Sequence, residues 1–225
     1  MTVETIAVNR DIQADKKAAA ERLRRQFTQR GTFVVNLVSS PGSGKTSLLE
    51  ATCRRWRDRW NVAVLVGDLA TDRDAERLRP YVPVEQLTTG GACHLELSLV
   101  EKGLTKLPQE PLDFLFIENI GNLVCPASHD LAEHLRVVCI STTEGDDKPG
   151  KYPKMFRTSE VMVITKTDLL PHVPFDVANV SEDARLIRGD MHVIETSAIN
   201  DIGIDAWCDL LEQCRKDMLA EATVS

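Results

Sequence analysis

Short apolar runs alternate with amphipathic stretches along most of the chain. The runs are rich in Val, Ile and Leu and are bounded by polar or turn-forming residues, which is the pattern of buried strands. They lie at residues 33–38, 62–66, 84–87, 112–117, 135–140, 161–164 and 192–195. Continuous apolar strands that alternate with helices are typical of a parallel sheet covered on both faces. We therefore expect a single doubly wound, mostly parallel α/β sheet, with ligands at the carboxyl ends of its strands.

The stretches between these runs carry helical patterns. Residues 13–30 hold strong helix formers with few apolar positions, so we expect a solvated helix that precedes the core. Further helices are predicted over residues 48–60, 71–79, 176–189 and 203–220, together with one that ends at Glu101. The chain is thus predicted to contain an N-terminal helical segment (1–30), one α/β domain (31–220) and a C-terminal tail (221–225).

The first apolar run leads into a loop with the composition of a phosphate-binding site. Residues 40–44 read Ser-Pro-Gly-Ser-Gly, and Lys45 and Thr46 then open a helical pattern. Gly42 and Gly44 leave room for backbone N–H groups to face a phosphate, and the following helix points its positive end at the same anion. The sequence therefore predicts a nucleoside triphosphate site in a fold of the P-loop NTPase type.

The side chains of this loop have distinct expected roles. Lys45 would span the β- and γ-phosphates, and the Thr46 hydroxyl would hold Mg²⁺. Ser39 stands where the usual pattern has its first glycine, and a small residue still fits there. The remaining loop residues expected to contact the nucleotide are Gly42, Ser43, Gly44 and Ser47.

Two carboxylates follow apolar strands at the predicted ligand edge. Asp68 and Glu118 lie where the runs 62–66 and 112–117 end. Each could coordinate Mg²⁺ directly or through water, or orient the attacking water, whereas alone each could equally be a solvated acid or a helix cap. Because the phosphate loop is present, we predict that both lie in the metal sphere. The predicted catalytic residues are Lys45, Thr46, Asp68 and Glu118, of which the last three are the predicted Mg²⁺ ligands.

Base recognition is predicted after the strand at residues 161–164. The next four residues read Thr-Lys-Thr-Asp, close to a motif of guanine-specific P-loop proteins. The Asp168 carboxylate can accept from guanine N1–H and the 2-amino group, which adenine does not offer, and the Lys166 stem packs over the base. Thr165 replaces the commoner Asn, which weakens one supporting contact. Ser197 and Ala198 resemble the loop that touches the guanine oxygen, so the expected nucleotide is GTP.

A second candidate site contains thiols and an imidazole. Cys93 and His94 follow a glycine pair at a predicted helix start, where the helix dipole would favour a thiolate. Cys125 lies seven residues beyond Glu118, and thiolate plus imidazole suits Zn²⁺ or Ni²⁺. Spacing alone leaves buried structural cysteines as the alternative, because the sequence has no C-x-x-C pattern. We expect Cys53, Cys139, Cys208 and Cys214 in the core, and His129 and His134 on the surface.

Composition narrows the choice of partners and compartment. The chain has 225 residues and a net charge of −7, so one domain with a sizeable core is expected and a broad nucleic-acid surface is not. No apolar run is long enough to span a membrane, and residues 1–10 lack the apolar region of a signal peptide. We therefore expect a cytoplasmic protein whose six cysteines are free thiols or metal ligands, with no nucleic acid or membrane partner.

Five segments match the pattern of a known family. They are residues 35–46, 67–75, 91–96, 118–127 and 143–149. Together they resemble the HypB-type GTPases that assist nickel insertion into NiFe hydrogenase. The resemblance covers about residues 15–220, and the Cys-His pair followed by Val-Cys-Pro is specific within it. Ser39 is itself the form that this family tends to show.

The resemblance implies properties beyond those that the spacing indicates. Family members hydrolyse GTP slowly, dimerise in a nucleotide-dependent way, and bind Ni²⁺ or Zn²⁺ through residues matching Cys93, His94 and Cys125 near the dimer interface. Three ligands per chain fit a site completed by water or one shared by two chains. Lys148 lies in a segment resembling the loop that reaches toward the nucleotide of the partner subunit. The implied protein partners are a HypA-type nickel metallochaperone and the hydrogenase large subunit.

The chain departs from the family pattern at its N-terminus. Some members carry an N-terminal cysteine motif or a histidine-rich stretch for tight nickel binding or storage, and residues 1–17 have neither Cys nor His. We therefore expect the metal to come from a partner metallochaperone.

Three competing functions stay open at the level of sequence. The first is a urease accessory GTPase, which would show Cys-Pro-His where this chain has Ala92-Cys93-His94. The second is a chaperone GTPase of a cobalamin mutase. The third belongs to a different class and is a metal-binding scaffold with a vestigial nucleotide site.

Overall fold

Seven parallel strands form one sheet in the part of the chain that the structure describes. The computed structural model describes residues 3–68 and 72–224, with the side chains of residues 13–68 and 72–223. The strands are β1 (Phe33–Ser39), β2 (Val62–Asp68), β3 (Val84–Thr88), β4 (Phe114–Gly121), β5 (Leu135–Ser141), β6 (Val161–Thr165) and β7 (His192–Glu195). Their order is β3-β2-β4-β1-β5-β6-β7, and every neighbouring pair is parallel. The predicted doubly wound sheet is confirmed.

Helices connect the strands and cover the sheet. They are α1 (Val3–Gln29), α2 (Lys45–Trp56), α3 (Arg73–Leu78), α4 (Leu97–Leu104), α5 (Lys148–Lys151), α6 (Pro153–Arg157), α7 (Val177–Ile187) and α8 (Ile204–Val224). Three 3-10 helical turns lie at Cys125–Ser128, Thr142–Glu144 and Thr167–His172. Among the described residues, none of these helices combines the length and the apolar character that a membrane crossing requires.

The side chains of β1 show how the two faces of the sheet are covered. Val35 and Leu37 pack with residues of α2, α3 and α8 on one face. Val34 and Val38 point to the other face, where the first packs with residues of α1 and α4 and the second with residues of α6 and α7. This alternation follows from the two-residue period of a strand, and it explains why the apolar runs are continuous.

Two predicted helices differ from the observed ones. The helix predicted to end at residue 60 ends at Trp56, and Asp58 has a φ of 66°, which no α-helix continues. The helix expected to be solvated is the C-terminal part of α1, which buries Ala20 and Phe27 against the sheet. The other residues from 13 to 29 are exposed or half-buried, because widely spaced apolar side chains suffice for a helix that touches the core along a narrow stripe.

The other differences concern ends of elements. β4 continues past the apolar run to Gly121, so Glu118 lies inside the strand, where it pairs in register with Leu37 of β1. α8 runs through most of the segment assigned to the C-terminal tail, and the division into segments stays a prediction. The predicted helix at 71–79 corresponds to α3, and its first residue lies outside the described residues.

Candidate functional site

The loop between β1 and α2 has the backbone of a phosphate cradle. Gly42 and Gly44 have φ angles of 74° and 91°, in the left-handed region that other residues rarely adopt. Lys45 starts α2, so the first N–H groups of this helix lie at the loop. Ser43 is fully buried, and its Oγ has no hydrogen-bond partner among the described residues. An orphaned buried hydroxyl beside a helix N-terminus fits an anion such as a phosphate.

Lys45 is held inside this loop by the residue that replaces the usual first glycine. Its Nζ donates a 2.7 Å hydrogen bond to Ser39 Oγ, and the Ser39 hydroxyl donates in turn to the carbonyl of Ser40 at 2.6 Å. Both Lys45 and Ser39 are buried. Ser39 therefore does more than fit the position, because it places the ammonium group at the cradle.

The predicted magnesium residues lie at one end of neighbouring strands. Thr46 Oγ1 donates a 2.7 Å hydrogen bond to Glu118 Oε1, while Glu118 Oε2 is buried without a partner among the described residues. Val66 of β2 pairs in register with Glu118, so Asp68, two residues further along β2, is on the same face of the sheet. A hydroxyl and two carboxylates are the oxygen donors that Mg²⁺ prefers, so the residues fit this cation.

Glu118 is an unusual carboxyl group. Only 4% of it is exposed, and this burial raises its pKa from 4.5 to about 7. The nearby Lys45 ammonium and the hydrogen bond from Thr46 oppose the rise without cancelling it. A buried carboxyl with one unpartnered oxygen gains most from a cation or donor placed beside it.

Two of the predicted base-recognition residues contact the backbone of the phosphate loop. Thr165 Oγ1 donates to the carbonyl of Ser43 at 2.5 Å, and Lys166 Nζ donates to the carbonyl of Gly42 at 2.7 Å. Asp168 Oδ1 accepts a 2.6 Å hydrogen bond from Ser197 Oγ, which brings the two predicted guanine loops together. Thr165 thus ties the base-recognition strand directly to the phosphate loop. The sequence pattern indicates only that this Thr weakens a contact, so its tie to the phosphate loop is new.

Three further predicted nucleotide residues lie around this loop. Ser47 follows Thr46 on α2 and accepts a 3.0 Å hydrogen bond from Arg77 of α3. Ala198 is half-buried directly after Ser197. Lys148 begins α5, just beyond the 3-10 turn that follows β5. Their contacts to a nucleotide stay a prediction.

The predicted thiols and imidazole come together at the adjacent strand ends. Cys93 lies in the loop after β3, and its Sγ donates a 2.9 Å hydrogen bond to Cys125 Sγ in the loop after β4. His94 Nδ1 lies 3.8 Å from Cys93 Sγ. One ligand atom from each of these three residues lies within 4.8 Å of the others, which is close enough for one metal ion. Asn122 steadies the pair by donating from Nδ2 to the Cys93 carbonyl at 3.1 Å.

The expected electrostatics of Cys93 were wrong. α4 begins at Leu97, so Cys93 lies in the preceding loop instead of at a helix start, where the dipole would favour a thiolate. The hydrogen bond with the Cys125 thiol instead raises the pKa of Cys93 above its ordinary value of 9.0. Without a metal, Cys93 therefore keeps its thiol proton, which it donates to Cys125 Sγ. A cation that replaces this proton would release it.

Both histidines assigned to the surface are partly buried, so that prediction was wrong. The His129 ring stacks on His94 with 3.8 Å between ring centroids. The His134 ring stacks on Phe33 at 5.3 Å, and its Nδ1 accepts a hydrogen bond from the Val34 N–H at 3.0 Å. Burial lowers the pKa of His134 from 6.5 to about 4, and the Arg24 charge adds to this effect.

His129 and Glu96 are candidate ligands that sequence reasoning missed. One ligand atom from each of His94, Glu96 and His129 lies within 4.8 Å of the others. Burial and the neighbouring His129 lower the pKa of His94, against the opposing effect of Glu96. The available signal was the short spacing from Cys125 to His129, because the 3-10 turn at Cys125–Ser128 brings His129 Nδ1 to 3.0 Å from the Cys125 carbonyl oxygen.

A buried amide joins the metal loop to the nucleotide strand. Asn119 follows Glu118 in β4 and points to the opposite face of the sheet. Its Oδ1 accepts a 3.4 Å hydrogen bond from the N–H of Leu95, the residue after His94. Its Nδ2 donates to Asn36 Oδ1 of β1 at 3.3 Å. Neighbouring residues of one strand therefore contact the two candidate sites.

Comparisons with known proteins agree with this arrangement. A sequence model of the family described as "CobW/HypB/UreG, nucleotide-binding domain" matches residues 33–195. The chain is 44% identical over 211 residues to "Hydrogenase maturation factor HypB" of Escherichia coli (strain K12), an alignment that covers 93% of this chain and 73% of that protein. It is 41% identical over 217 residues to "Hydrogenase/urease maturation factor HypB" of Helicobacter hepaticus, covering 94% and 89%.

Solved structures give the same result. The crystal structure of HypB from Helicobacter pylori in complex with nickel superposes with a TM-score of 0.85 at 36% identity, covering 90% of this chain and 96% of that one. HypB from Archaeoglobus fulgidus superposes with a TM-score of 0.83 at 37% identity, covering 90% and 99%. Because of the family match and the identities to these relatives, the chain belongs to the CobW/HypB/UreG family and, within it, to the HypB hydrogenase maturation factors.

Proposed function

We propose that this protein is a GTP-hydrolysing switch that handles nickel during the maturation of NiFe hydrogenase. The observation that carries the proposal is the pair of contacts made by neighbouring residues of β4. Glu118 accepts a hydrogen bond from Thr46 of the phosphate site, and Asn119 accepts one from the N–H that follows His94. A change on one side of this strand therefore has a short covalent route to the other.

The proposed substrate is GTP. Ser197 orients the Asp168 carboxylate through Oδ1, and a carboxylate has further lone pairs for the two guanine donors. Mg²⁺ would be held by Thr46, Asp68 and Glu118 and would neutralise charge on the phosphates. Lys45 would add a fixed positive charge at the same place. We assign no general base, and turnover by positioning and charge alone is expected to be slow.

The proposed cargo is Ni²⁺, for which Zn²⁺ competes. Cys93, His94 and Cys125 offer two sulfurs and one nitrogen, a set that suits both cations. The related HypB of Helicobacter pylori was crystallised in complex with nickel, which favours Ni²⁺ as the cargo. The thiol protons of Cys93 and Cys125 would leave when the metal binds both sulfurs, so nickel binding should strengthen as pH rises.

The proposed assembly is a nucleotide-dependent homodimer that works in the cytoplasm. Three ligands per chain leave one position of a four-coordinate metal for water or for a second copy. Val124 is 60% exposed immediately before Cys125, and an exposed apolar side chain beside the ligands supports a protein contact there. The proposed partners are a HypA-type metallochaperone that delivers nickel and the hydrogenase large subunit that receives it.

A paired titration tests this function. Ni²⁺ affinity and molecular mass in solution would be measured for the wild type, Cys93→Ala and the control His192→Ala, each with GDP and with a non-hydrolysable GTP analogue. His192 lies in β7, at the far edge of the sheet from β3. We expect one nickel site that weakens only in Cys93→Ala and whose affinity and dimerisation depend on the nucleotide. Equal affinity with both nucleotides would contradict the switch.

The strongest competing function is a metal-binding scaffold with a vestigial nucleotide site. Phosphate release from GTP by the wild type and by Lys45→Ala separates the two. A GTPase should lose turnover in the variant, whereas a scaffold would bind nucleotide and release no phosphate in either form.

The name of the Helicobacter hepaticus relative also includes urease. Nickel transfer to apo-urease is therefore a second assay of which enzyme receives the metal.

A further inference from the structure

The two ring nitrogens of His94 lie near different kinds of side chain, one near a thiol and the other near a carboxylate. Nδ1 lies 3.8 Å from Cys93 Sγ, on the side of the thiols. Nε2 lies 4.0 Å from Glu96 Oε1, on the side of a carboxylate. The His129 ring stacks on the face of the His94 ring, with the ring planes inclined by 26°. His94 therefore belongs to two possible ligand sets, and only one of them contains sulfur.

A hydrogen bond to the backbone orients the His129 ring and leaves one of its nitrogens able to bind a metal. Its Nδ1 lies 3.0 Å from the carbonyl oxygen of Cys125. A carbonyl can only accept, so Nδ1 carries the proton and Nε2 keeps its lone pair. Metal-binding imidazoles show this pattern, in which the second ring N–H donates to a backbone carbonyl and fixes the ring.

The backbone around His129 is fixed as well. Arg136 Nη2 donates a 2.6 Å hydrogen bond to the His129 carbonyl. Arg136 and its ion-pair partner Glu133 are both buried. The imidazole is thus carried by a rigid segment, which reduces the entropy that a metal ion would otherwise have to overcome on binding.

We propose that His94, Glu96 and His129 form a second position for a divalent metal ion, made of two nitrogens and one carboxylate oxygen beside the thiol site. A neutral imidazole has one lone pair, so His94 serves one metal at a time. The two positions are therefore alternatives. A single ion per chain passes from the nitrogen and oxygen ligands to the sulfur ligands when the His94 ring proton moves from Nδ1 to Nε2 and the two thiols release their protons to solvent. This inference deepens the proposed nickel function and rests on it for its meaning in the cell.

The ligands give the second position its own properties. Imidazole and carboxylate bind Ni²⁺ and Zn²⁺ without thiolate, so occupation does not require a proton to leave a cysteine. Glu96 forms an ion pair of 3.5 Å with Lys16, and both side chains are about half exposed or more. Such exposed pairs are weak, so a divalent cation displaces Lys16 readily. We expect a weaker and faster-exchanging site than the thiol set.

The test uses the full chain with Ni²⁺ for calorimetry and Co²⁺ as a spectroscopic probe. The double variant Cys93→Ser, Cys125→Ser removes both thiols. Adding His129→Phe keeps a ring stacked on His94 but removes the ligand nitrogen, and adding His192→Ala to the double variant is the matched control. We expect the double variant to bind one ion per chain without a thiolate charge-transfer band. We expect His129→Phe to weaken this binding about tenfold or more, and His192→Ala to leave it unchanged.

The outcomes separate this inference from the function on which it rests. No metal binding by the double variant, or binding indifferent to His129→Phe, would overturn the second position. A wild type that binds Co²⁺ without a thiolate band would instead contradict the proposed thiol site. A wild type that binds two ions per chain would show that both positions can be filled together. This would overturn the alternation, in which His94 binds only one ion at a time.

Discussion

Thr46 Oγ1 donates a hydrogen bond of 2.7 Å to Oε1 of Glu118, a carboxyl group buried inside β4. The hydroxyl expected to bind Mg²⁺ is thus hydrogen-bonded to a carboxyl group expected to bind the same ion. The other oxygen of Glu118, Oε2, has no hydrogen-bond partner among the described residues, and burial raises the pKa of this carboxyl to about 7. Near neutral pH the carboxyl therefore carries a proton in about half of the molecules, before any cation binds.

The first prediction concerns the pH dependence of stability. The folded pKa of Glu118, about 7, lies above its ordinary value of 4.5, so its stabilising contribution is complete below pH 4.5 and is lost as pH rises through 7. Glu118→Gln should remove this loss. We expect the nucleotide-free variant to exceed the wild type in free energy of unfolding by up to about 3 kcal/mol at pH 8.

Urea denaturation with a chelator present, at pH 5 and pH 8, measures this difference. Glu101→Gln, which changes an exposed carboxylate on α4, is the control and should leave the pH dependence unchanged. The same Glu118→Gln protein should bind Mg²⁺ and GTP more weakly, because a metal ligand is lost. If both variants follow the wild-type pH curve, the raised pKa is wrong.

The second prediction concerns communication between the sites. Asn119→Ala removes the acceptor of the Leu95 N–H while both ligand sets stay complete. We expect nickel affinity to stop responding to the nucleotide, with a stability loss of about 1–3 kcal/mol because Asn36 Oδ1 loses its donor. The measurement is Ni²⁺ titration with GDP and with the GTP analogue.

A matched variant separates communication from lost stability. Asn36→Ala breaks the same Asn36–Asn119 hydrogen bond but keeps the contact between Asn119 and Leu95. It also removes the hydrogen bond from Asn36 Nδ2 to Glu133 Oε1, so it should lose at least as much stability and still respond to the nucleotide. Two variants that respond alike would show that Asn119 has no special part in the switch.

The third prediction concerns the base. Asp168→Asn replaces an acceptor with a group that offers one donor and one acceptor, which suits xanthine better than guanine. We expect preference to move from guanosine to xanthosine triphosphate, with GTP affinity falling about tenfold or more. Competition binding with both nucleotides measures the change. A variant that still prefers GTP would refute the assignment of Asp168.

The residues of the candidate nucleotide site come together as the sequence predicts, because each group of them is local in sequence. The phosphate loop and the Thr-Lys-Thr-Asp segment each lie in one short stretch, and the alternation of strands and helices brings their ends to one edge. The role of Ser39 was not predicted. It depends on the rotamer by which Lys45 folds back on its own loop, and that rotamer is not encoded in spacing.

The histidine contacts could not be predicted for a related reason. His94 and His129 follow different strands, and one sequence carries no record of which loops meet. His134 was assigned to the surface because its spacing of five residues from His129 does not place the two on one helix face. In the structure it fills a gap beside Phe33 and satisfies the Val34 N–H, a role visible only once β1 and β5 are neighbours.

The fourth prediction uses His134. Its folded pKa of about 4 lies below the ordinary 6.5, so its stabilising contribution is complete above pH 6.5 and is lost as pH falls to 4. Because the Asn oxygen can replace Nδ1 as the acceptor, His134→Asn should lose up to about 3 kcal/mol less over this range. Thermal or urea unfolding at pH 7 and pH 4.5 tests it, with the exposed His172→Asn as control. Equal acid sensitivity in all three proteins would disprove it.

Side chains alternate between the two faces of β4, so the site that each residue contacts depends on whether its position in the strand is even or odd. Glu118 lies an even number of positions after Phe114 and therefore faces α2, as Phe114 does. Asn119 lies an odd number of positions after Phe114 and therefore faces the opposite layer. Deleting or inserting one residue between Phe114 and Glu118 would turn the carboxyl away from Thr46. A deletion would present Asn119 in its place, and an insertion would present Ile117. Changes of two residues would preserve the faces, so length variation in this strand is tolerable only in pairs.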